Sequence, residues 1–149
     1  MQIKTLKVEP GKVITPEKKE TTFIYIPGDT GKLVKKSIEI KVSLPEREKA
    51  ELIMSSLKKE KAVPEKLSLH EFIIDTDGTM FLNLSHDINN DTVNTNNINV
   101  IYGIVNSFLS CFKDAKRVQI LVNGQALYTI GGQLYTYTPI EFNNQLLED

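Results

Sequence analysis

Ser85, His86 and Asp87 supply the three residue types of a hydrolase triad, so they are the first place where this sequence could do chemistry. A nucleophilic serine needs a histidine base that is itself oriented by a carboxylate. Because successive side chains of an extended segment point to opposite sides, these three consecutive residues cannot form that relay with one another. The only other histidine, His70, lies in a predicted strand with no positioned cysteine or glutamate partner. The sequence therefore predicts no nucleophilic catalysis.

Two short motifs resemble ligand-binding loops but lack residues that the chemistry requires. Residues 87–91 begin like a calcium loop, whereas Ile98 stands where such a loop has its closing glutamate. Residues 28–32 contain the Gly-Lys pair of a phosphate-binding loop, whereas Leu33 stands where that motif has serine or threonine. We therefore expect no metal site and no cofactor.

Composition excludes several classes of partner. The chain has 149 residues, with 18 basic and 19 acidic side chains and a formal net charge of −1, so no global charge attracts nucleic acid. A single cysteine, Cys111, excludes an internal disulfide and a multi-cysteine metal site. No apolar run approaches the roughly 18 residues of a membrane span, and no signal-peptide core is visible at the N-terminus. Attachment to a membrane would need an anchor that is absent from this chain.

The strongest structural signal is a β-hairpin in residues 117–132. Alternating apolar residues over 117–122 indicate a half-buried strand. Asn123 and Gly124 accept the positive φ of a two-residue type I′ turn. Residues 125–130 are the expected return strand, and Gly131 and Gly132 end it. This register places Val122 opposite Gln125, Ile120 opposite Leu127, and Val118 opposite Thr129.

The other elements follow from the same kind of pattern. Residues 22–26 and 38–42 are predicted strands, and residues 67–75 and 79–84 form a second hairpin around a three-residue turn with Gly78 in the left-handed conformation. Ser43 and Glu46 have the spacing of a capping box. A helix is expected from there to Lys59, with the apolar stripe Ala50, Ile53, Met54 and Leu57. A second, more apolar helix is expected from about Asn96 to Cys111.

These elements predict an α+β fold, an antiparallel sheet of hairpins with two helices packed on one face in a βαββαβ-like order. Residues 1–19 are lysine-rich and are interrupted by proline and glycine, which predicts a flexible N-terminal arm or linker. We expect the folded domain to occupy residues 20–142 and a polar C-terminal tail to occupy residues 143–149.

Side chains on the uncovered face of this sheet form a candidate interaction face. Contiguous exposed apolar surface on a domain usually marks a partner site, so the face predicts self-association or docking of a protein partner. The alternative is that the chain's own segment containing Leu134, Tyr135 and Tyr137 covers it. The residues of the candidate face are Ile73, Phe81, Gln119, Leu121, Tyr128 and Ile130.

Several blocks of the sequence together resemble the GerMN domain family of sporulation and spore-germination proteins. They are FIYIP at 23–27, DGTMFLNLS at 77–85, IVNSF in the second helix, and RVQILVNG followed by LYTIGG and Pro139-Ile140. The resemblance covers residues 22–140. The chain departs from the family pattern at Asn83 and Asn123, where aspartate is usual, and this departure weakens any carboxylate-dependent activity at Asn83.

The resemblance implies a non-catalytic interaction or assembly domain of the bacterial cell envelope, similar to small ring-building modules. It implies an extracytoplasmic location, tethering by a lipoprotein signal or transmembrane helix, and a link with peptidoglycan remodelling. The alternative is a glycan-binding module or a peptidoglycan-active enzyme that uses polar loop residues. That alternative would use Ser85, His86, Asn89 and Asn90.

Overall fold

The structure, a computed structural model, describes residues 17–89 and 96–149. The described chain contains seven strands and two α-helices, which confirms the predicted α+β class. None of the helices described is long and apolar enough to cross a membrane. The elements in chain order are β1 (Lys19–Pro27), β2 (Leu33–Lys41), α1 (Glu46–Lys59), β3 (Leu69–Ile74), β4 (Thr79–Leu84), α2 (Asn97–Cys111), β5 (Arg117–Val122), β6 (Thr129–Ile130) and β7 (Leu134–Tyr135).

The strands form three small sheets. β1 pairs with β2 antiparallel, β6 pairs with β7 antiparallel, and the central sheet has the order β3-β4-β5. Within the central sheet β3 and β4 are antiparallel, but β4 and β5 are parallel. The expectation of hairpin pairing throughout is therefore wrong for β5. The reason is that α2 connects β4 to β5 and returns the chain to the end of the sheet where β4 began, which is how parallel neighbours are joined.

The β3–β4 hairpin has the predicted register. Ile74 lies opposite Met80 and Phe72 lies opposite Leu82. Gly78 has φ +91°, the left-handed conformation that the three-residue turn requires. This register buries the β4 side chains Met80, Leu82 and Leu84 against the helices.

The hairpin predicted in residues 117–132 is only half formed. Its turn is as expected: Asn123 has φ +49°, Gly124 has φ +83°, and Val122 pairs with Gln125. The predicted return strand is wrong, because Val118 pairs with Ile140 instead of Thr129. The two backbone N···O distances of that bridge are both 2.8 Å. Residues from the C-terminal segment thus occupy the edge of β5.

The predicted return strand contributes to a separate small hairpin. Thr129 and Ile130 (β6) pair with Tyr135 and Leu134 (β7). Gly131 has φ +73° and Gly132 has φ +80°, so both glycines sit in the turn that ends β6.

Helix α1 has the predicted buried stripe but not the predicted cap. Ala50, Ile53, Met54 and Leu57 are its buried residues. The N-cap is Pro45, with no side-chain cap hydrogen bond, so the expected capping box at Ser43 is wrong. The cause lies in the proline, because the residue before a proline is driven out of the helical region and the helix begins after it.

Helix α2 lies against β1 through small residues. The Tyr25 N–H donates to Ser107 Oγ at 2.9 Å. A Cβ atom added to Gly103 would lie 3.0 Å from the Tyr25 carbonyl oxygen. Gly103 and Ser107 are one turn apart, so the helix presents a shallow strip on which the strand backbone can approach closely.

The two ends of the described chain differ from the predicted boundaries. β1 begins at Lys19, inside the segment expected to be an arm, and residues 1–16 lie outside the described residues. Residues 143–149 contact the rest of the domain, because Leu147 forms a bridge with Leu33 and the Glu148 N–H donates to the Leu33 carbonyl at 2.8 Å.

Candidate interaction surface

The outer face of the β3-β4-β5 sheet carries most of the predicted interaction residues. Side chains alternate between the two faces of a strand, so the buried side chains of β4 leave Phe81 on the opposite face. Ile73 pairs with Phe81, and Phe81 pairs with Gln119, so these three form one row across the sheet. Ile73 is 57% exposed, whereas Phe81 and Leu121 are half-buried. The outer face is thus open at the β3 side.

Two of the six predicted face residues are not exposed. Gln119 is only 6% exposed, and its Nε2 donates to the Thr136 carbonyl at 3.2 Å. The segment around Thr136 therefore covers the β5 side of the face, which was the alternative left open from the sequence. Ile130 is 1% exposed and belongs to the core, because β6 turns away from β5. The predicted face is wrong for these two residues.

Tyr128 belongs to a second exposed surface, which sequence reasoning missed. Its ring stacks on that of Tyr137 with 4.8 Å between centroids and an interplanar angle of 21°. Tyr135 lies 6.4 Å from Tyr137 by ring centroids. Tyr128, Tyr135 and Tyr137 are 70%, 54% and 46% exposed. We call these three residues the tyrosine surface; the alternation of Tyr135 and Tyr137 around Thr136 was the signal that could have revealed part of it.

Thr136 holds the tyrosine surface in place. Its N–H donates to the Tyr128 carbonyl at 2.8 Å, and its Oγ1 donates to the Leu127 carbonyl at 2.8 Å. Its own carbonyl accepts from Gln119. The residue is fully buried, so the tyrosines on either side of it are fixed to the domain rather than carried on a free loop.

Asn83, the departure from the family pattern, has a structural role. Its Oδ1 accepts from the Gly124 N–H at 2.7 Å, and its Nδ2 donates to Glu71 Oε1 at 3.4 Å. The Asn123 N–H donates to the Leu84 carbonyl at 2.9 Å. The amide thus ties the turn after β5 to the end of β4.

Ser85 and His86, two of the triad-like residues, lie in different environments. Ser85 is buried, and its Oγ accepts from the Ser68 N–H at 2.9 Å. His86 and Asn89 are exposed on a single turn of 3-10 helix, while Asn90 lies outside the described residues. Within residues 17–89 and 96–149, no three His, Cys, Asp or Glu side chains cluster in a way that could hold a metal ion.

Two titratable groups are shifted by their surroundings. The pKa of Asp77 is lowered by hydrogen bonding to the side chains of Asp75 and Thr79, then by the Thr79 N–H, with a smaller contribution from Arg117. Burial raises the pKa of the Cys111 thiol. A thiol with a raised pKa is protonated at neutral pH and is a poor nucleophile.

The architecture is that of a GerMN domain. It is similar to the first GerMN domain of the sporulation protein GerM from Bacillus subtilis, with 13% identity over 85% of this chain and 98% of that chain, and a TM-score of 0.60. It is also similar to the tandem GerMN domains of the same protein, with 19% identity over 95% of this chain and 52% of that chain, and a TM-score of 0.60. No curated protein matches the sequence.

The sequence profile of the Germane family, described as sporulation and spore germination, matches residues 23–128. This chain belongs to that family, which confirms the resemblance identified from its sequence motifs. The family description names no enzymatic reaction.

Proposed function

We propose that this domain is a non-catalytic protein-interaction module of the bacterial cell envelope, acting in spore formation or germination through the outer face of its central sheet. The observation that carries the proposal is the exposure of Ile73 beside Phe81, on a sheet whose other face is buried by helices. Solvent-exposed apolar side chains grouped in this way favour docking of a protein partner. Envelope proteins, including those that remodel peptidoglycan, are the expected class of partner.

The edge position of β3 supports strand-to-strand docking at the same place. β3 is the outer strand of the order β3-β4-β5. The Asp75 N–H donates to the Thr79 carbonyl at 2.9 Å, so alternation directs the backbone groups of Phe72 and Ile74 away from β4. Among the described strands none pairs with this edge of β3, and an edge of this kind can accept a strand from a partner.

The beginning of the same edge is closed by a helix side chain. Arg47 Nη2 donates to the Leu69 carbonyl at 2.6 Å and Nη1 donates to the His70 carbonyl at 3.3 Å. The arginine restricts docking to the Ile73 end of β3, where the exposed apolar side chain lies.

The alternative of a peptidoglycan-active enzyme has less support. Its nucleophile would be Ser85, whose hydroxyl is buried and bonded to the backbone of Ser68. The extracytoplasmic location remains part of the proposal, as an implication of the resemblance to the GerMN family.

The test places a photo-reactive amino acid at Ile73 in the full protein in cells and identifies the cross-linked product. We expect a discrete adduct at this position and none with the same residue at Leu52, an exposed apolar position on α1. Ile73→Asp should abolish co-purification of the partner while leaving the melting temperature nearly unchanged, because exposed substitutions usually change stability by less than about 0.5 kcal/mol.

Sedimentation over a concentration series distinguishes a second copy from a different protein as the partner. An adduct pattern that is the same at Ile73 and Leu52, or a partner that still co-purifies with Ile73→Asp, would contradict the proposal.

A further inference from the structure

The tyrosine surface presents aromatic ring faces in a fixed arrangement. Tyr128 stacks on Tyr137 and is still 70% exposed, so most of its side chain is open to solvent. Thr129 pairs with Tyr135 in the β6–β7 hairpin, and buried Thr136 anchors the segment through hydrogen bonds at both its N–H and its hydroxyl. A surface that is already ordered loses little conformational entropy when a ligand binds.

The segment that carries the tyrosines contains no charge. Residues 118–140 include no Asp, Glu, Lys, Arg or His, in a chain of which 25% is Asp, Glu, Lys or Arg. Besides the tyrosines, the polar side chains exposed there are neutral amides and hydroxyls: Asn123, Gln125, Thr129, Gln133 and Thr138. Nucleic acid and anionic membrane both require a basic surface. The lack of charge therefore selects a neutral ligand.

The aliphatic side chains of the same segment are turned away from solvent. Ile130 and Ile140 are buried, and Leu127 and Leu134 are half-buried against the core. The exposed surface of this segment thus consists of aromatic rings, hydroxyls and amides, with the Pro139 ring as its exposed aliphatic group. It suits a ligand with weakly polar C–H faces and many neutral hydrogen-bonding groups.

We propose that the tyrosine surface binds a neutral polysaccharide, whose pyranose rings stack on Tyr128 and Tyr137. The axial C–H groups of a pyranose carry partial positive charge and complement the negative face of an aromatic ring. Its hydroxyl or acetamido groups pair with the exposed amides and hydroxyls around the rings. The site is separate from the Ile73 end of the outer face, so this inference does not rest on the proposed protein-docking function. Tyr135 and Tyr137 also lie beyond residues 23–128, which the family profile matches.

The test is native affinity electrophoresis of the full protein in gels that contain glycol chitin or hydroxyethyl cellulose, two neutral polymers of pyranose sugars. We expect retardation in at least one of them and no retardation with polyglutamate. Tyr128→Ala and Tyr137→Ala should each weaken binding about tenfold, the change expected on removing one aromatic anchor. Tyr128→Phe keeps the ring and should bind within about threefold of the parent.

Leu52→Ala, on α1, is the matched control for an exposed apolar position outside the tyrosine surface, and it should be retarded like the parent. Near-ultraviolet circular dichroism and melting temperature show whether each variant is folded; Tyr135→Ala replaces any variant that is not. Absence of retardation in both gels would overturn the proposal. Retardation that the tyrosine-to-alanine variants leave unchanged, or that Tyr128→Phe loses, would overturn it as well. Tyrosine-dependent self-association in sedimentation without polysaccharide binding would show that the surface serves another copy of the chain.

Discussion

At the scale of single residues, the turn between β3 and β4 is organised by two carboxylates. Asp75 Oδ1 accepts from the N–H groups of Asp77 and Thr79 at 3.1 and 3.0 Å. Asp77 Oδ1 accepts from the Thr79 N–H at 3.1 Å and lies 3.7 Å from Arg117 Nη1. Because Arg117 begins β5, the turn contributes to the junction of all three central strands.

We predict that, because of Asp77, the stability of the folded domain decreases as the pH falls in the acidic range. Since its pKa is lower in the folded state than in the unfolded chain, its contribution is complete above the unfolded value of about 4 and is lost as the pH falls through the folded value. The melting temperature of the parent relative to Asp77→Asn should therefore decrease as the solution is acidified below pH of about 4. Asp29→Asn, in the β1–β2 turn, corrects for the loss of one negative charge. A difference between parent and Asp77→Asn that stays constant with pH would contradict this assignment.

At the scale of elements, the contact between α2 and β1 is determined by the size of the side chains between them. Gly103 leaves room for the Tyr25 carbonyl, and Ser107 satisfies the Tyr25 N–H. The Tyr25 ring meets Phe142 edge-on, with 5.4 Å between centroids. This one strand thus contacts both the helix and the C-terminal segment.

We predict that Gly103→Ala destabilises the domain, the opposite of the usual effect. Replacing glycine by alanine inside a helix normally gains about 1 kcal/mol. Here the new methyl group would meet the Tyr25 carbonyl oxygen at 3.0 Å. Since that atom belongs to the backbone of a paired strand, we expect a net loss of about 1–3 kcal/mol in the free energy of unfolding. Urea denaturation measures it, with Ser55→Ala on the exposed side of α1 as the control. A gain in stability would show that β1 can shift.

At the scale of the whole molecule, the C-terminal segment links parts of the fold that are far apart in sequence. Ile140 pairs with β5, and the Asn143 backbone exchanges two hydrogen bonds with the buried Asn106 side chain at 3.0 and 3.2 Å. Leu147 then reaches the β1–β2 hairpin at Leu33. The segment therefore contacts the central sheet, α2 and the first hairpin in succession.

We predict that removal of residues 143–149 lowers the free energy of unfolding by about 2 kcal/mol or more, because a buried amide that loses its partners retains its desolvation penalty. Asn143→Ala keeps both backbone groups that bond to Asn106 and loses only the side-chain bond to the Gln145 N–H. That variant should cost no more than about 1 kcal/mol. Chemical denaturation of the truncated protein, the variant and the parent compares the three. Equal stability of the truncated and parent proteins would show that the segment adds nothing to the fold.

Strand alternation and turn residues predicted those parts of the fold that depend on interactions between residues close in sequence. The β3–β4 register follows from the need to bury one face, and Asn123-Gly124 follows from the twist of a tight turn. The burial of Gln119 could not be read in this way. It depends on Ile140 displacing residues 127–129 from the edge of β5, which is a competition between two segments of one chain. The residue pattern within either segment does not indicate which of the two pairs with β5.

The candidate surfaces were predicted only in part, because the sequence does not show which segment pairs with β5. Ile73 and Phe81 follow from strand alternation and lie where expected. Ile130 and Tyr128 were assigned to the same face because a continuous return strand was assumed. Once β6 separates from β5, one of them enters the core and the other joins two tyrosines from beyond the turn.

The parallel pairing of β4 with β5 has a consequence for how the chain is made. The ribosome synthesises β3 and β4 well before residues 117–122, so the edge of β4 that later pairs with β5 has no partner at first. The sheet can close only after α2 has been synthesised and has crossed over it. During that interval the open edge of β4 can pair incorrectly with other nascent chains translated from the same messenger RNA. This risk is common where strands that are distant in sequence must pair.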